Sequence, residues 1–163
     1  MTGVQTCALP ILIDPAPVRS LANLTFVAAL AVHDVIDDLL HAKAVGRHVS
    51  LKWPNDVLIE GRKVAGILLE HHTVEGRSAV IIGIGVNCRH HPDATLHPAT
   101  SLLAQGIDAS PADVFSGLAC HFAALCRTWN RGEEFTAIRL AWLQYAVGLG
   151  KSVTLRVAKR EVS

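Results

Sequence analysis

The residues of this sequence best suited to chemistry lie in one run, Leu51-Lys-Trp-Pro-Asn-Asp-Val-Leu-Ile-Glu-Gly-Arg-Lys-Val-Ala-Gly-Ile-Leu-Leu-Glu70. Lys52 ends a short extended segment just before a turn set by Pro54, and Lys63 opens the returning segment. A hairpin of that kind gathers two ammonium groups and the Asn55/Asp56 pair in one region. Two lysines beside a carboxylate suit a polyphosphate with its metal. The cations neutralise phosphoryl oxygens, and the acid binds Mg²⁺ or orders a lysine. Gly66 has no side chain and admits close approach to the backbone. Spacing alone also fits a plain hairpin whose charges face water, and by spacing alone that is the heavier reading.

The elements around this run follow from periodicity. Leu21, Leu24, Ala28, Ala31, Val35 and Leu39 recur at three- and four-residue steps after an Asp-Pro-Ala-Pro breaker. They predict a long amphipathic helix over 18–44, with Asp34, Asp37 and Asp38 toward water. Strands are expected at 49–52, 57–59, 63–71 and 79–86, with tight turns at Glu60-Gly61-Arg62 and Glu75-Gly76. Residues 87–109 read as a long irregular stretch beside the sheet. Ser110-Pro111-Ala112-Asp113 then has a cap, a proline at the first helical position and an acid at the third, opening a helix to about Trp129. A further helix is expected over 133–146. The alternation at 151–157 predicts a strand with nothing after it to pair with.

Composition narrows the function classes. The chain has 163 residues, half of them hydrophobic, enough for one core. No run approaches the roughly 18 consecutive apolar residues of a membrane span. A net charge of +1 gives no bulk-charge footprint for nucleic acid, so any anion must be met by a few placed side chains. Cys7, Cys88, Cys120 and Cys126 lack CxxC or framework spacing and read as reduced thiols of a cytoplasmic protein. Residues 1–11 lack the basic and apolar regions of a signal peptide. Thr2–Ile11 is similar to one reading frame of a common short-read sequencing adapter, so residues 1–11 read as an assembly scar with no part in the fold.

The Lys52–Asp56 turn followed by Lys63-Val-Ala-Gly-Ile-Leu68 resembles the signature of biotin–protein ligases, and Ile82-Gly-Ile-Gly-Val-Asn87 matches that family's glycine-rich strand ending in Asn. The resemblance covers residues 12–157 and is strongest over 51–87. It implies an α+β fold of the class II aminoacyl-tRNA synthetase and biotin ligase kind, with a mixed, mostly antiparallel sheet flanked by helices. Residues 12–147 would be part of the catalytic domain, and 148–163 the first strand of a small C-terminal β-barrel.

The implied reaction joins biotin and ATP, with Mg²⁺, into biotinyl-5′-AMP and passes biotin to a lysine of a biotin carboxyl carrier domain. By resemblance Lys63 is the chief catalytic residue, touching the biotin carboxylate and the α-phosphate, and losing one such contact costs about 10²–10³ in rate. Lys52 would hold phosphate. Asp56 would order the cations or hold the metal. Gly66 and Ile67 would line biotin, while Asn55 and Asn87 would belong to the ATP site, Asn87 reading the adenine edge.

The sequence departs from the family pattern in having no Gly-Arg-Gly-Arg loop before the long helix, so the chain is expected to be an incomplete ligase, inactive alone. Alternative readings are a lipoate–protein ligase, or a non-catalytic module that binds nucleotide or dimerises through an exposed strand edge. A second copy is therefore a further expected partner; nucleic acid and membrane are not. Cys88, His90, His91 and His97 lack zinc-ligand spacing. His71-His72 reads as surface, Trp129 and Trp142 as core or interface, Trp53 as packing beneath its turn ahead of stacking on a ligand, and Thr100-Ser101 as a cap for a short helix.

Overall fold

The computed structural model describes residues 6–8, 10–92, 97–152, 155–157 and 160–162. Its main sheet runs β1 (Thr6–Ala8), β6 (Arg77–Val86), β5 (Arg62–Val74), β4 (Asp56–Ile59), β3 (Val49–Lys52), and β2 (Ile11–Ile13) also pairs with β6. Every ladder between these strands is antiparallel. Parallel pairing is limited, among the described residues, to two isolated bridges, Leu51 with Ala146 and Lys63 with Ala99.

Both central hairpins turn on Glu-Gly. Glu60 and Gly61 have φ of 48° and 73°, and Glu75 and Gly76 have φ of 50° and 75°. Two consecutive positive-φ residues match the right-handed twist of the flanking strands. Glu60 is anchored further, since its carboxylate accepts the His48 N–H at 2.8 Å.

Helix α1 (Leu24–Ala42) lies on one face of this sheet and buries Leu24, Val27, Ala28, Leu30, Ala31, Val35 and Ile36. The facing strand residues, Leu51, Val57, Ile59, Ile67, Ile82, Ile84 and Val86, belong to the same core. Each large aliphatic side chain removed from water there contributes about 1.5–3 kcal/mol. The predicted helix start differs, because 18–23 form a 3-10 turn before α1. By length and composition Val18–Ala42 could cross a membrane, against the sequence expectation, but 61% of its apolar 18-residue stretch is buried inside this fold.

Helices α2 (Pro111–Trp129) and α3 (Phe135–Tyr145) pack on α1. The predicted cap of α2 is present in full: Ser110 Oγ accepts the Asp113 N–H, and the Asp113 carboxylate accepts the Ser110 N–H. Trp129 and Trp142 are buried, and Phe26 meets Phe135 and Trp142 edge to face.

Three expectations change. The acids of α1 are not simply a wet face: Asp34 accepts from His33 at 2.9 Å, and Asp38 holds His121 of α2 at 2.8 Å. Helix packing brought a cationisable partner that α1 alone does not reveal. The segment near 155–157 has a partner, as β7 (Leu155–Val157) pairs with β8 (Arg160–Val162) in a separate two-stranded sheet. Within residues 1–11, 6–8 and 11 do enter the fold, as β1 and the start of β2 along the edge of β6. That ladder uses main-chain groups and is indifferent to the origin of the residues.

Candidate active site

Lys52 and Asp56 face each other across the end of the β3–β4 hairpin, joined by Trp53-Pro54-Asn55 with a cis Trp53–Pro54 bond. Asn55 staples this turn to β5. Its Nδ2 donates to the Ile67 carbonyl at 2.8 Å, and its own carbonyl accepts the Ile67 N–H at 2.9 Å. Asp56 thereby sits opposite Gly66.

The position of Lys63 depends on an irregularity. In a regular strand residues three apart point to opposite faces, which would put Lys63 and Gly66 on different sides of the sheet. The β4–β5 register shifts between Val57 and Leu58: Ala65 pairs with Val57, but Lys63 pairs with Leu58. Val64 is the extra residue, and Val64 and Ala65 are both buried in succession. Such a bulge re-aims a side chain. Lys63 now shares the Gly66 face, and its ammonium reaches Asp56 Oδ1 at 2.5 Å. The contact is an ion pair and not an aligned hydrogen bond, and Asp56 Oδ1 has no other polar partner. The Asp56 carboxylate is 16% exposed while the lysine side chain is 41% exposed, so the carboxylate is the fixed member and the amine the one open to a ligand.

The main chain of Lys63 is held from the loop side as well. Its N–H donates to Pro98 O at 2.8 Å, and its carbonyl accepts the Thr100 N–H at 2.9 Å. Asn87 closes this arrangement. Its N–H donates to Val64 O, its carbonyl accepts from Leu102 N–H, and its Nδ2 donates to Thr100 O at 3.0 Å. Gln105 Nε2 adds a bond to Thr100 Oγ1 at 2.6 Å. Asn87, Thr100, Ser101 and Gln105 are all buried.

The site residues named from sequence therefore divide. Lys52, Asp56, Lys63 and Gly66 come together at one end of the β3–β4–β5 strands. Among the described residues no carboxylate pairs with Lys52, which leaves that cation for an anionic ligand. Ile67 is not brought to the open face: it is 2% exposed in the core, and its main-chain N–H and C=O are both engaged by Asn55. Asn55 and Asn87 each have an amide donor committed to a backbone carbonyl. Trp53 is 52% exposed and not beneath its turn, because the hairpin end projects beyond the core.

Sequence reasoning missed Thr100 and Gln105 as supports for Lys63. The available signal was a Thr-Ser-Leu-Leu-Ala-Gln stretch whose polar residues flank an apolar run in a segment otherwise read as irregular. Ser101 does cap a short 3-10 turn, accepting the Ala104 N–H at 3.2 Å. Beside Asn87, Arg89, His90, His91, Ser101, Leu103 and Ala104 line an open cleft of about 310 Å³. Beyond Gly66 the open sheet face carries Leu68, Ile81, Gly83 and Gly85 by alternation, and Leu68 is 61% exposed.

Known proteins resemble this chain in sequence and in fold. The chain is 37% identical over 146 residues to the bifunctional ligase/repressor BirA of Bacillus subtilis, matching 86% of this chain and 43% of that protein. It is 39% identical over 150 residues to the biotin–[acetyl-CoA-carboxylase] ligase of Paracoccus denitrificans, covering 60% of the relative. The chain thus spans about half the length of these curated relatives. In fold it is similar to the biotin protein ligase of Aquifex aeolicus in complex with biotin and ATP, with a TM-score of 0.73 and 22% identity over 97% of this chain and 65% of that one. A biotin protein ligase from Leishmania major in complex with biotinyl-5-AMP gives 0.70 at 22% identity, over 94% and 64% of the two chains. The model of the biotin/lipoate A/B protein ligase family matches residues 3–87, just over half of the sequence, and the chain belongs to that family.

Proposed function

We propose that this chain is the nucleotide-handling part of a biotin–protein ligase, acting on biotin, ATP and the biotin carboxyl carrier domain of a biotin-dependent carboxylase in the cytoplasm. The observation that carries the reading is the Lys63 ammonium, seated on Gly66 between the half-buried Asp56 carboxylate and the open face of the sheet. The relative from Paracoccus denitrificans is a biotin–[acetyl-CoA-carboxylase] ligase, and this favours biotin over lipoate within the family.

In the first step a biotin carboxylate oxygen bonds to the α-phosphorus of ATP as the bond to pyrophosphate breaks. Negative charge gathers on the α-phosphoryl oxygens, and the fixed Lys63 cation lowers that barrier. Lys52 holds phosphate from the far side of the hairpin end, and Asp56 keeps Lys63 in place. In the second step the deprotonated amine of the acceptor lysine attacks the acyl carbon, and AMP leaves with the bonding pair. Asn55 and Asn87 hold the turn and the loop that frame the nucleotide, each through a hydrogen bond from its side-chain amide to a backbone carbonyl.

Mg²⁺ fits this donor set only if it arrives with the nucleotide. Among the described residues no group of three His, Cys, Asp or Glu side chains could cage a metal, and Asp56 already faces Lys63. Asp56 would be its one protein carboxylate, with phosphate oxygens and water as the other ligands, and the ion would neutralise phosphate charge.

The sequence contains no Gly-Arg-Gly-Arg segment, so the chain alone is expected to bind nucleotide but to hold biotin weakly and not to ligate it. Calorimetric titration with MgATP and, separately, with biotin tests this. Nucleotide binding that weakens in Lys52→Ala and Lys63→Ala supports the reading. Micromolar biotin binding by the chain alone would overturn its incompleteness. Failure to bind nucleotide, together with ligand-independent dimers on size exclusion, would favour a non-catalytic dimerisation module instead.

A further inference from the structure

The glycine at 66 lies within β5 and is not among the positive-φ glycines, so no turn or positive φ requires it there. What requires it is space. A Cβ built on Gly66 would lie 3.1 Å from Lys63 Nζ, 3.2 Å from Lys63 Cε and 3.8 Å from Asp56 Oδ1. These are the two partners of the ion pair, and the contacts to Lys63 are tighter than a methyl group tolerates without displacing its neighbour. The bulge at Val64 turns Lys63 onto the Gly66 face, and the ladder sets Asp56 opposite Gly66. The lysine therefore folds back along its own strand and rests its ammonium in the gap left by the missing side chain.

We propose that Gly66 is a positioning residue for Lys63: the bare backbone at 66 is the seat that lets the Lys63 ammonium reach Asp56 and stay over the open face. This goes beyond a role for Gly66 in contacting an acyl ligand, since the group that occupies the space is the protein's own amine. It builds on the ligase reading above only in the importance it gives Lys63. The seat itself is a property of the ligand-free chain and can be tested without substrate.

The nearest atoms a Cβ at 66 meets are the far end of the flexible Lys63 side chain, so the chain should fold with alanine there while Lys63 gives way. Lys63 then swings from Asp56, and the carboxylate, 16% exposed, loses its charged partner. A double-mutant cycle on the full chain isolates this effect. Gly66→Ala is made in the wild-type background and in a Lys63→Ala background, and melting temperature is measured for all four proteins.

The expected result is a fall of several degrees for Gly66→Ala with Lys63 present and almost none with Lys63 absent, because the added methyl then meets no amine. If Gly66→Ala fails to fold in the wild-type background but folds with Lys63→Ala, the proposal stands for the same reason. If Gly66→Ala costs the same in both backgrounds, or fails to fold in both, the seat serves something other than Lys63 and the proposal is overturned.

A second readout follows the amine itself. Acetylation of Lys63 by limiting acetic anhydride, quantified by peptide mass spectrometry, should rise several-fold in Gly66→Ala and in Asp56→Asn, and no further in the double variant. A rise in Asp56→Asn without one in Gly66→Ala would sink the role of Gly66. That result would leave the ligase reading untouched, since the calorimetry with nucleotide decides it separately.

Discussion

Replacing Asn87 by alanine should weaken the fold before it reports on any ligand. The side chain is 8% exposed, and its Nδ2 donates to the carbonyl of Thr100, itself 0% exposed, at 3.0 Å. Removing the donor leaves that carbonyl buried without this bond, which costs about 1–3 kcal/mol. For a chain of this size each kcal/mol lowers Tm by about 2–4 °C, so a central cost of about 2 kcal/mol predicts a fall of roughly 4–8 °C.

The loss should also be local. Thr100 N–H donates to Lys63 O, Lys63 N–H to Pro98 O and Leu102 N–H to Asn87 O. Hydrogen exchange at these three amides should accelerate in Asn87→Ala more than at the amides of α1, which the network does not touch. An Asn87→Asp variant adds a pH signature. Its ionised carboxylate would face the Thr100 carbonyl, so its folded-state pKa is raised and the protonated form alone can donate to that oxygen. The variant is then least impaired in acid and loses stability as pH rises through the raised pKa. Calorimetric melts across pH with exchange at neutral pH make the assay. An Asn87→Ala protein that melts within a degree of wild type, with unchanged exchange at Lys63 and Thr100, would refute the view that this side chain holds the loop.

Two further expectations concern the scaffold. A Cβ at Gly117 would lie 2.5 Å from Val35 Cγ2 where α2 crosses α1, so Gly117→Ala should cost about 1–3 kcal/mol by overpacking and should be partly rescued by Val35→Ala. Equal melting of Gly117→Ala and wild type would show that the two helices do not approach so closely. In acid, Asp14 and Asp113 should contribute in a defined window. The Arg77 guanidinium bonded to Asp14 and the Ser110 hydroxyl bonded to Asp113 hold both carboxyls below their ordinary value of 3.8. A depressed folded pKa gives stability that is complete above 3.8 and is lost as pH falls through the folded value. Melts from neutral pH downward should therefore show their contribution vanish only below about pH 4, and Asp14→Asn and Ser110→Ala should flatten that limb.

Much of this architecture was legible because local chemistry and global fold agree. The two Glu-Gly turns mark the central hairpins, and the Ser110-Pro-Ala-Asp113 box marks the start of α2. The spacing of apolar residues over 24–42 marks the helix that covers the sheet. The Lys-Trp-Pro-Asn-Asp turn and the Lys63–Leu68 strand were legible as a site because their residue types match a known signature. What did not show was anything that depends on the partner of a residue. Asp38 reads as solvated until α2 brings His121 to it. Trp53 reads as packing until the hairpin is seen to project. The bulge at Val64 left one trace, the adjacent apolar pair Val64-Ala65, which breaks strand alternation but is equally at home in a strand buried on both faces.

A signature of this kind mixes two sorts of residue, since both are demanded by one geometry. Lys52, Asp56 and Lys63 carry the charge that the proposed chemistry needs. Asn55, Gly66, Ile67 and Asn87 decide where that charge sits: Asn55 binds the turn to Ile67, Gly66 leaves room for the amine, and Asn87 holds the loop whose Thr100 grips the Lys63 carbonyl. Residue types do not separate the groups, because an amide that grips a backbone carbonyl and one that reads a nucleobase look alike in sequence. Hydrogen-bond partners do separate them. The framing residues should therefore betray themselves in stability and exchange when no ligand is present. Lys52, without a carboxylate partner among the described residues, should be nearly silent there, Lys63 should cost only what its pair with Asp56 supplies, and both should be decisive for nucleotide.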